Sequence, residues 1–311
     1  MKNLKLFVGT LFIVLFYTSC NTNGDETGAN FIKYNFDHQV QSVDLSNVHF
    51  EKIEHSFWMY AYTSTGQDFN LFFDEYGNFI DSRTNQLANP SRNSYYYNSS
   101  NYFNVDLVDV DTINKKVFAT FSGKLFTDRY DLSSNSVDVS GSFRLEYKER
   151  EHYNGDTRFH NLGCSTKLNN TNWYSYPTFY HGTVSYDNYF FNHGSTPASR
   201  IVHFYSDAEY RVSLFIDDID QLGLGNYTIL NNASPNNIRI SKFNATTLAY
   251  DYYTTTEGSF TILEKNNIFY GPPQIGYSYT IKGGFNFKAV NPNNSSDIIN
   301  VTDGAFKFYS D

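Results

Sequence analysis

The chain has 311 residues, a formal net charge of −9 and two cysteines, Cys20 and Cys164. The acidic balance argues against nucleic acid and anionic lipid surfaces as partners. A single cysteine beyond the amino-terminal segment can form neither an intrachain disulfide nor a cysteine-based metal site, so we expect Cys164 to be a small buried apolar residue.

Aromatic side chains make up 19% of the chain, with 27 tyrosines and 29 phenylalanines. Aromatic and β-branched residues favour strands, whereas the abundant asparagine and glycine favour turns. Apolar residues alternate with a period of two in many segments, and no segment has a convincing helical period. The sequence therefore predicts a chain that is nearly all β.

The amino terminus has the pattern of a secretion signal. Lys2 and Lys5 precede an apolar run over residues 6–16. This run is shorter than the roughly 20 residues that a membrane-spanning helix needs. Small residues then precede Cys20, and the chain becomes polar immediately afterwards.

The segment Tyr17-Thr18-Ser19-Cys20 resembles the lipobox of bacterial lipoproteins, with tyrosine where leucine is usual. The resemblance implies that residues 1–19 are a cleaved signal peptide and that Cys20 carries the lipid. Residues 20–30 then form a flexible lipidated linker. The pair Asp25-Glu26 resembles the acidic tag that directs Bacteroidota lipoproteins to the outer face of the outer membrane.

Four short motifs occur twice in the same order, which indicates two copies of one module. The pairs are LFFD at 71–74 with LFID at 214–217, GNFI at 77–80 with GNYTI at 225–229, the alternating segment 117–125 with 277–285, and GSFRL at 141–145 with GAFKF at 304–308. A glycine stands two positions before phenylalanine in the last pair. We expect it to allow a neighbouring ring or backbone to approach closely, or to mark a bulge.

Each copy ends in a predicted three-stranded meander, at 103–108, 116–127 and 137–147, and at 259–264, 277–289 and 298–309. The predicted fold is all-β, with two tandem antiparallel β-sandwich or open-barrel domains at residues 31–150 and 158–311. Residues 151–157 are polar, contain a turn signal and form the predicted linker.

Tyr95, Tyr96 and Tyr97, with Tyr102 nearby, lie among asparagines and serines. Adjacent tyrosines in a strand cannot all face one core, so at least one must face outward or lie on a loop. Exposed aromatic side chains can stack on sugar rings or anchor a protein interface. These four tyrosines are the predicted ligand-binding residues, and the alternative is that they pack in a core. We expect the two tryptophans, Trp58 and Trp173, to pack in the cores of their own modules, with hydrogen-bond partners for their N–H groups.

Asp111-Thr112-Ile113 resembles the acceptor triplet for O-glycosylation of exported Bacteroidota proteins, which makes Thr112 a predicted glycosylation site.

The sequence contains no motif for catalysis or for a cofactor. None of the eight histidines forms an H-E-x-x-H motif, and neither a G-x-S-x-G elbow nor a phosphate-binding glycine loop occurs. Two acidic clusters, at 106–111 and 217–220, lack the spacing of a calcium loop. We therefore predict no catalytic residue, no metal and no cofactor.

Residues 163–311 resemble a domain family of unknown function in Bacteroidota lipoproteins. The matching motifs are KLNNTNW at 167–173, GNY at 225–227, GSFTI at 258–262, GGFNF at 283–287 and VTDGAF at 301–306. The first half matches only through the later motifs. The resemblance implies a small antiparallel β-fold on a lipid tether and implies no activity.

The expected function is that of a non-enzymatic lipoprotein on the outer membrane, exposed at the cell surface. It would act as a binding or scaffold module for a glycan or a surface protein, with no nucleic-acid partner. Duplicated weak modules would gain avidity for a repetitive ligand. Two alternatives stay open: a surface hydrolase of the glycosidase type whose acidic residues converge only in three dimensions, and a purely structural envelope protein.

Overall fold

The computed structural model describes residues 28–86, 89–150, 158, 160–176, 179–181, 184–186, 189–193, 198–270 and 276–310. Regular structure in these residues consists of strands, together with a short 3-10 turn at Ser99–Asn101. The expectation of an all-β chain is confirmed.

The first half, residues 28–150, forms one eleven-stranded sheet. Its strands are β1 (Phe31–Phe36), β2 (Gln39–Gln41), β3 (Val43–Ile53), β4 (Ser56–Thr63), β5 (Asp68–Asp74), β6 (Phe79–Gln86), β7 (Asn89–Asn93), β8 (Phe103–Asp111), β9 (Lys116–Phe126), β10 (Ser136–Glu146) and β11 (Lys148–Glu149). The order across the sheet is β11-β3-β4-β5-β6-β7-β9-β10-β1-β2, and β8 pairs with β9 off this path. Its pairs are antiparallel except for the short β11–β3 pair.

The described residues of the second half, 158–310, form three sheets. The strands are β12 (Gly163–Leu168), β13 (Thr171–Tyr174), β14 (Phe179–His181), β15 (Val184–Tyr186), β16 (Tyr189–His193), β17 (Arg200–Phe204), β18 (Tyr210–Ile216), β19 (Gly225–Ile229), β20 (Asn237–Asn244), β21 (Ala249–Tyr252), β22 (Thr254–Tyr270), β23 (Gly276–Asn291) and β24 (Asn294–Ser310). The sheet orders are β13-β12-β24-β23-β22-β19, β16-β17-β18-β20-β21 and β14-β15.

Both predicted meanders are confirmed. In the first half β8, β9 and β10 pair in sequence order, and in the second half β22, β23 and β24 do the same. In each half an early strand then adds to the last one, β1 to β10 and β12 to β24. The remaining strands are arranged differently, in one sheet in the first half and in several in the second. The duplication and the domain boundaries stay predictions.

Glycines in these closing strands lie against rings from the neighbouring strand. Gly141 pairs with Phe121, and a Cβ on Gly141 would come within 2.4 Å of that ring. Gly304 pairs with Phe285, and a Cβ there would come within 2.3 Å of the ring. The expected close approach is confirmed, because only a residue without a side chain leaves room for the ring.

Each half has its own cluster of buried apolar residues, one within 34–147 and the other within 162–309. Cys164 and Trp173 belong to the second cluster, as expected. The expected partner for the Trp173 N–H is not found among the described residues, where Nε1 is buried without a hydrogen bond. The expectation for Trp58 is wrong, because its side chain is 37% exposed. Strand β4 instead turns Phe57 and Met59 into the core, and the period of two leaves Trp58 on the outer face.

The two halves contact each other through stacked rings and hydrogen bonds. The rings of Tyr76 and Tyr174 stack with centroids 4.2 Å apart. The Asp207 carboxylate accepts a hydrogen bond of 3.0 Å from the backbone N–H of Phe79, and its carbonyl oxygen accepts one of 3.1 Å from that of Ser100. We call this contact region the junction.

The predicted signal peptide at 1–19, the lipid site Cys20 and the predicted linker at 151–157 lie outside the described residues. Among the residues that the structure describes, no helix is long and apolar enough to cross a membrane.

Candidate functional site: a tyrosine–arginine surface

The four predicted ligand-binding tyrosines lie in the segment between β7 and β8, but they have different environments. Tyr95 is 3% exposed, and its ring packs edge-on against Tyr102 with centroids 5.1 Å apart. Tyr96 follows directly and is 50% exposed. Tyr97 is half-buried. The chain leaves β7 after Asn93 and bends at residues 96–98, so that Tyr95 faces the core while Tyr96 faces solvent.

Tyr96 forms a cluster with the turn between β9 and β10. Its backbone N–H donates a hydrogen bond of 2.9 Å to the carbonyl oxygen of Arg129, and its ring lies 5.2 Å from that of Tyr130. The Arg129 guanidinium lies 5.2 Å from the centroid of Tyr96 and 6.0 Å from that of Tyr130. A guanidinium at this distance is attracted to an aromatic face.

Arg129 also forms an ion pair with a carboxylate of the first sheet. Its guanidinium lies 3.4 Å from a carboxylate oxygen of Asp81 on β6, which also accepts a hydrogen bond of 2.9 Å from the Ser94 hydroxyl. Both charged side chains are about one-third exposed. The ion pair therefore limits the side-chain freedom of Arg129 while leaving the guanidinium within reach of a ligand.

Tyr97 connects this cluster to the second half. Its ring stacks on Phe243 of β20 with centroids 5.2 Å apart and planes 8° from parallel. Phe243 contacts the ring of Tyr250 on β21 at 5.5 Å, and Tyr250 contacts Tyr205 at 6.3 Å. The aromatic contacts therefore run without interruption from the first half onto the five-stranded sheet.

A second arginine lies among the tyrosines of that sheet. The Arg211 guanidinium is 4.2 Å from the ring centroid of Tyr250, and 5.6 Å and 5.5 Å from those of Tyr205 and Tyr252. Its Nη2 donates a hydrogen bond of 3.1 Å to the Tyr252 hydroxyl. Its Nε is buried and has no hydrogen-bond partner among the described residues. A buried donor without a partner costs about 1–3 kcal/mol, which a ligand oxygen in reach would recover.

We call the set Tyr96, Tyr97, Arg129, Tyr130, Tyr205, Arg211, Tyr250 and Tyr252 the tyrosine–arginine surface. Burial raises the pKa of Tyr250 to about 12 and also raises that of Tyr96. Burial, and then the charge of Arg211, lower the pKa of the adjacent His203 to about 4. At neutral pH the two phenols therefore keep their protons as hydrogen-bond donors, and His203 is uncharged.

Tyr102 lies apart from this surface. It lines a polar groove of about 600 Å³ on the first half, together with Asn35, Asn101, Lys124 and Asp138. Its ring packs against Phe126 at 6.3 Å as well as against Tyr95. The structure thus brings Tyr96 and Tyr97 into one surface and separates Tyr102 from it. The ligand-binding role of the four tyrosines stays a prediction.

The other predicted positions lie in turns. Thr112 is exposed in the β8–β9 hairpin turn, where the Asp111 carboxylate accepts hydrogen bonds from the backbone N–H groups of Ile113 and Asn114. Its glycosylation stays a prediction. In the second acidic cluster, Asp218 accepts hydrogen bonds from the N–H groups of Asp220 and Gln221. No group of three metal-ligating side chains occurs among the described residues.

The sequence interpretation missed Arg129, Tyr130 and Arg211. The first two form an Arg-Tyr pair in a polar turn only about thirty residues after Tyr97, which is a usable signal. Arg211 lies on the face of β18 opposite the buried Val212 and Leu214, and nothing local in the sequence distinguishes it from a solvent-facing arginine.

No protein-family model matches this chain, and comparisons with curated proteins and with solved structures found no match. The resemblance to a Bacteroidota lipoprotein family stays a prediction.

Proposed function

We propose that this chain is a lipid-anchored surface protein that binds glycans through the tyrosine–arginine surface without turning them over. The observation that carries the proposal is the exposure of Tyr96 and Tyr130, which are 50% and 54% exposed and have their ring centroids within 6.0 Å of the Arg129 guanidinium. Large aromatic side chains held this far out of a core are candidates for ligand contact.

The chemistry of the surface fits a sugar. An aromatic face carries partial negative charge and attracts the C–H groups of a pyranose ring. Phenol and guanidinium groups at the ring edges donate hydrogen bonds to sugar hydroxyls. Because Asp81 already restrains Arg129, little side-chain entropy is lost on binding.

The proposed anchor is a lipid on Cys20, followed by the polar segment up to residue 30, which places the protein on the outer membrane. A tethered protein with several weak contact points gains avidity for a repetitive ligand. A cell-surface glycan is such a ligand.

The test is a glycan array probed with the purified protein and with the double variant Tyr96→Ala/Tyr130→Ala. We expect the wild type to bind at least one glycan class and the double variant to lose about tenfold or more in affinity, since each ring contributes on the order of 1 kcal/mol. Leu132→Ala is the matched control, because Leu132 is 42% exposed in the same turn and has no ring. Tyr95 and Tyr97 are left intact because Tyr95 is buried and the half-buried Tyr97 stacks on Phe243 of the second half.

Absence of binding across the array would contradict the proposal and favour a scaffold role. Binding that survives the double variant would contradict the proposed site and leave glycan binding itself in place.

One observation favours the hydrolase alternative. A groove of about 520 Å³ at the junction is lined by His55 and Tyr76 from the first half and by Tyr174, Glu264 and Lys307 from the second. Glu54 lies beside it and accepts a hydrogen bond of 3.0 Å from the backbone N–H of Asn161.

The two carboxyl groups at this groove differ in acidity. Burial raises the pKa of Glu54 to about 7, whereas the ion pair with Lys282 lowers that of Glu264. The positive charge of Lys307 acts to lower the pKa of both carboxyl groups. Glycoside hydrolysis uses two carboxyl groups whose pKa values differ in this way, one as acid and one as base.

Turnover is tested by the release of reducing sugar from any glycan that binds. Glu146 is exposed, so Glu146→Gln is the control. If Glu54→Gln removes the hydrolysis and Glu146→Gln retains it, the hydrolase replaces the binding proposal. No release above the buffer blank would exclude the hydrolase for those glycans.

A further inference from the structure

A second aromatic surface lies on the outer face of β4. Trp58, Tyr60 and Tyr62 occupy alternate positions of this strand, while Phe57, Met59 and Ala61 between them are buried. Trp58 is 37% exposed, Tyr62 is 44% exposed, and Tyr60 is half-buried between them. We call Trp58, Tyr60 and Tyr62 the β4 aromatic row.

The rings of the row follow one another but are not coplanar. The centroids of Trp58 and Tyr60 are 6.4 Å apart with planes inclined by 48°, and those of Tyr60 and Tyr62 are 4.8 Å apart and inclined by 88°. Alternate residues of a strand advance by about 6.7 Å, so the row extends over about 13 Å. This length suits a short chain of sugar rings better than a single sugar. Because the ring planes change along the row, the row fits a ligand chain that can twist better than it fits a flat ligand.

An unpartnered amide lies beneath the row. Asn70 on β5 is the register partner of both Tyr60 and Arg83 and shares their face of the sheet. It is only 6% exposed, and its Nδ2 has no hydrogen-bond partner among the described residues. A buried amide N–H without a partner is unfavourable, and a ligand hydroxyl would satisfy it once the side chains that cover the amide move aside.

The charges around the row are balanced. Glu51, opposite Trp58 on β3, lies 3.4 Å from the Arg150 guanidinium. Near Tyr60, Asp68 and Arg83 carry opposite charges, and the Asp68 carboxylate accepts hydrogen bonds from Asn85. Because no excess of positive charge is present, the surface gives no advantage to a carboxylated or sulfated ligand.

The row and the tyrosine–arginine surface lie on the same face of the first sheet. Trp58 pairs with Phe72, and Phe72 pairs with Asp81, which binds Arg129. A ligand at the row therefore approaches the protein from the same side as one at Tyr96.

We propose that the β4 aromatic row is an additional binding site, for a neutral linear oligosaccharide of several units. The inference rests on the proposed function in that it specifies the ligand class as a neutral sugar chain. In the complex, pyranose rings stack on Trp58 and Tyr62, and a sugar hydroxyl accepts the Asn70 Nδ2–H.

The test uses tryptophan fluorescence, because the chain has only two tryptophans and Trp173 is 5% exposed. In a Trp173→Phe background, emission reports on Trp58 alone. The probes are neutral hexasaccharides of β-linked glucose, mannose and xylose and of α-linked glucose, with oligogalacturonate as the acidic comparison.

We expect at least one neutral hexasaccharide to shift or quench the Trp58 emission with saturation, and oligogalacturonate not to do so. Tyr62→Ala, which keeps the reporter, should weaken that affinity by roughly tenfold, and Asn70→Ala should also weaken it. Leu132→Ala, a change at an exposed residue outside both aromatic surfaces, is the control and should leave the titration unchanged. Circular dichroism of each variant establishes that it is folded.

The inference is overturned if no neutral hexasaccharide changes the emission, or if Tyr62→Ala and Asn70→Ala titrate like their parent. It is also overturned if sedimentation shows self-association that Trp58→Ala abolishes, since a second copy would then be the occupant. Array binding that depends on Tyr96 and Tyr130 but not on the row would leave the proposed function intact and reject this site. Array binding that depends on the row but not on Tyr96 and Tyr130 would retain this site and reject the tyrosine–arginine surface as the glycan site.

Discussion

Tyr95 and Tyr96 are adjacent in the sequence, yet the first is 3% exposed and the second 50% exposed. The same contrast separates Met59 from its neighbours Trp58 and Tyr60 on β4. Residue type does not decide which of these side chains is available to a ligand. What decides it is the direction in which the backbone places each side chain, toward the core or toward solvent.

The glycines under the rings allow a residue-scale prediction. A Cβ on Gly141 would lie 2.2 Å from the backbone oxygen of Lys33 as well as against Phe121. We expect Gly141→Ala to lower the free energy of unfolding by about 1–3 kcal/mol, because a backbone atom cannot move aside as a flexible side chain can. Urea unfolding measures the change.

Gly223→Ala is the control, since the nearest atom to its added Cβ is the Tyr227 hydroxyl at 3.8 Å. Equal stability of the two variants would contradict the assignment of Gly141 to a ring contact.

At the scale of elements, β23 is the central strand of the second core. It pairs with β22 on one side and with β24 on the other, and its Ile281 is fully buried. Such a strand is held by packing on its inner face and by hydrogen bonds on both edges. Its neighbour β24 also carries Ile298, which is 37% exposed near the hairpin.

We predict that Ile281→Ala lowers the free energy of unfolding by about 2–5 kcal/mol, because it removes buried methyl groups and leaves a cavity. Ile298→Ala makes the same chemical change at an exposed site and should lower it by less than about 1 kcal/mol. Thermal and urea unfolding of both variants test the difference. Similar losses would mean that β23 is not central to the core.

At the scale of the whole molecule, the junction buries titratable groups. Burial raises the pKa of Asp207 to about 6, and burial together with the charge of Asp207 raises that of Asp74 to about 7. Asp74 accepts hydrogen bonds from the backbone N–H groups of Tyr76 and Asn78 in the turn that contacts the second half. The contact between the halves is therefore sensitive to proton concentration.

The sign of the pH dependence follows from these values. An aspartate whose folded-state pKa lies above its unfolded value near 4 stabilises the fold fully below that value. Its contribution is lost as the pH rises through the folded-state pKa. We expect the free energy of unfolding to fall between about pH 4 and about pH 7, and Asp207→Asn to reduce that fall by up to about 3 kcal/mol.

Urea unfolding across this pH range measures the slope for the wild type, Asp207→Asn and the exposed control Asp106→Asn. A slope that Asp207→Asn leaves unchanged would contradict a titrating carboxyl at the junction.

The amino-acid sequence alone predicts the all-β class, both closing meanders, the burial of Cys164 and Trp173 and the glycine–ring contacts. Alternation, turn residues and small residues act over short distances, so they can be recognised locally. The secretion signal and Cys20 also come from the sequence alone and stay predictions. Tertiary structure decided which face of β4 is buried, because both sets of alternate residues on that strand are apolar or aromatic. It also decided that Tyr97 stacks on Phe243, since residues so distant in the chain meet only when the two halves pack.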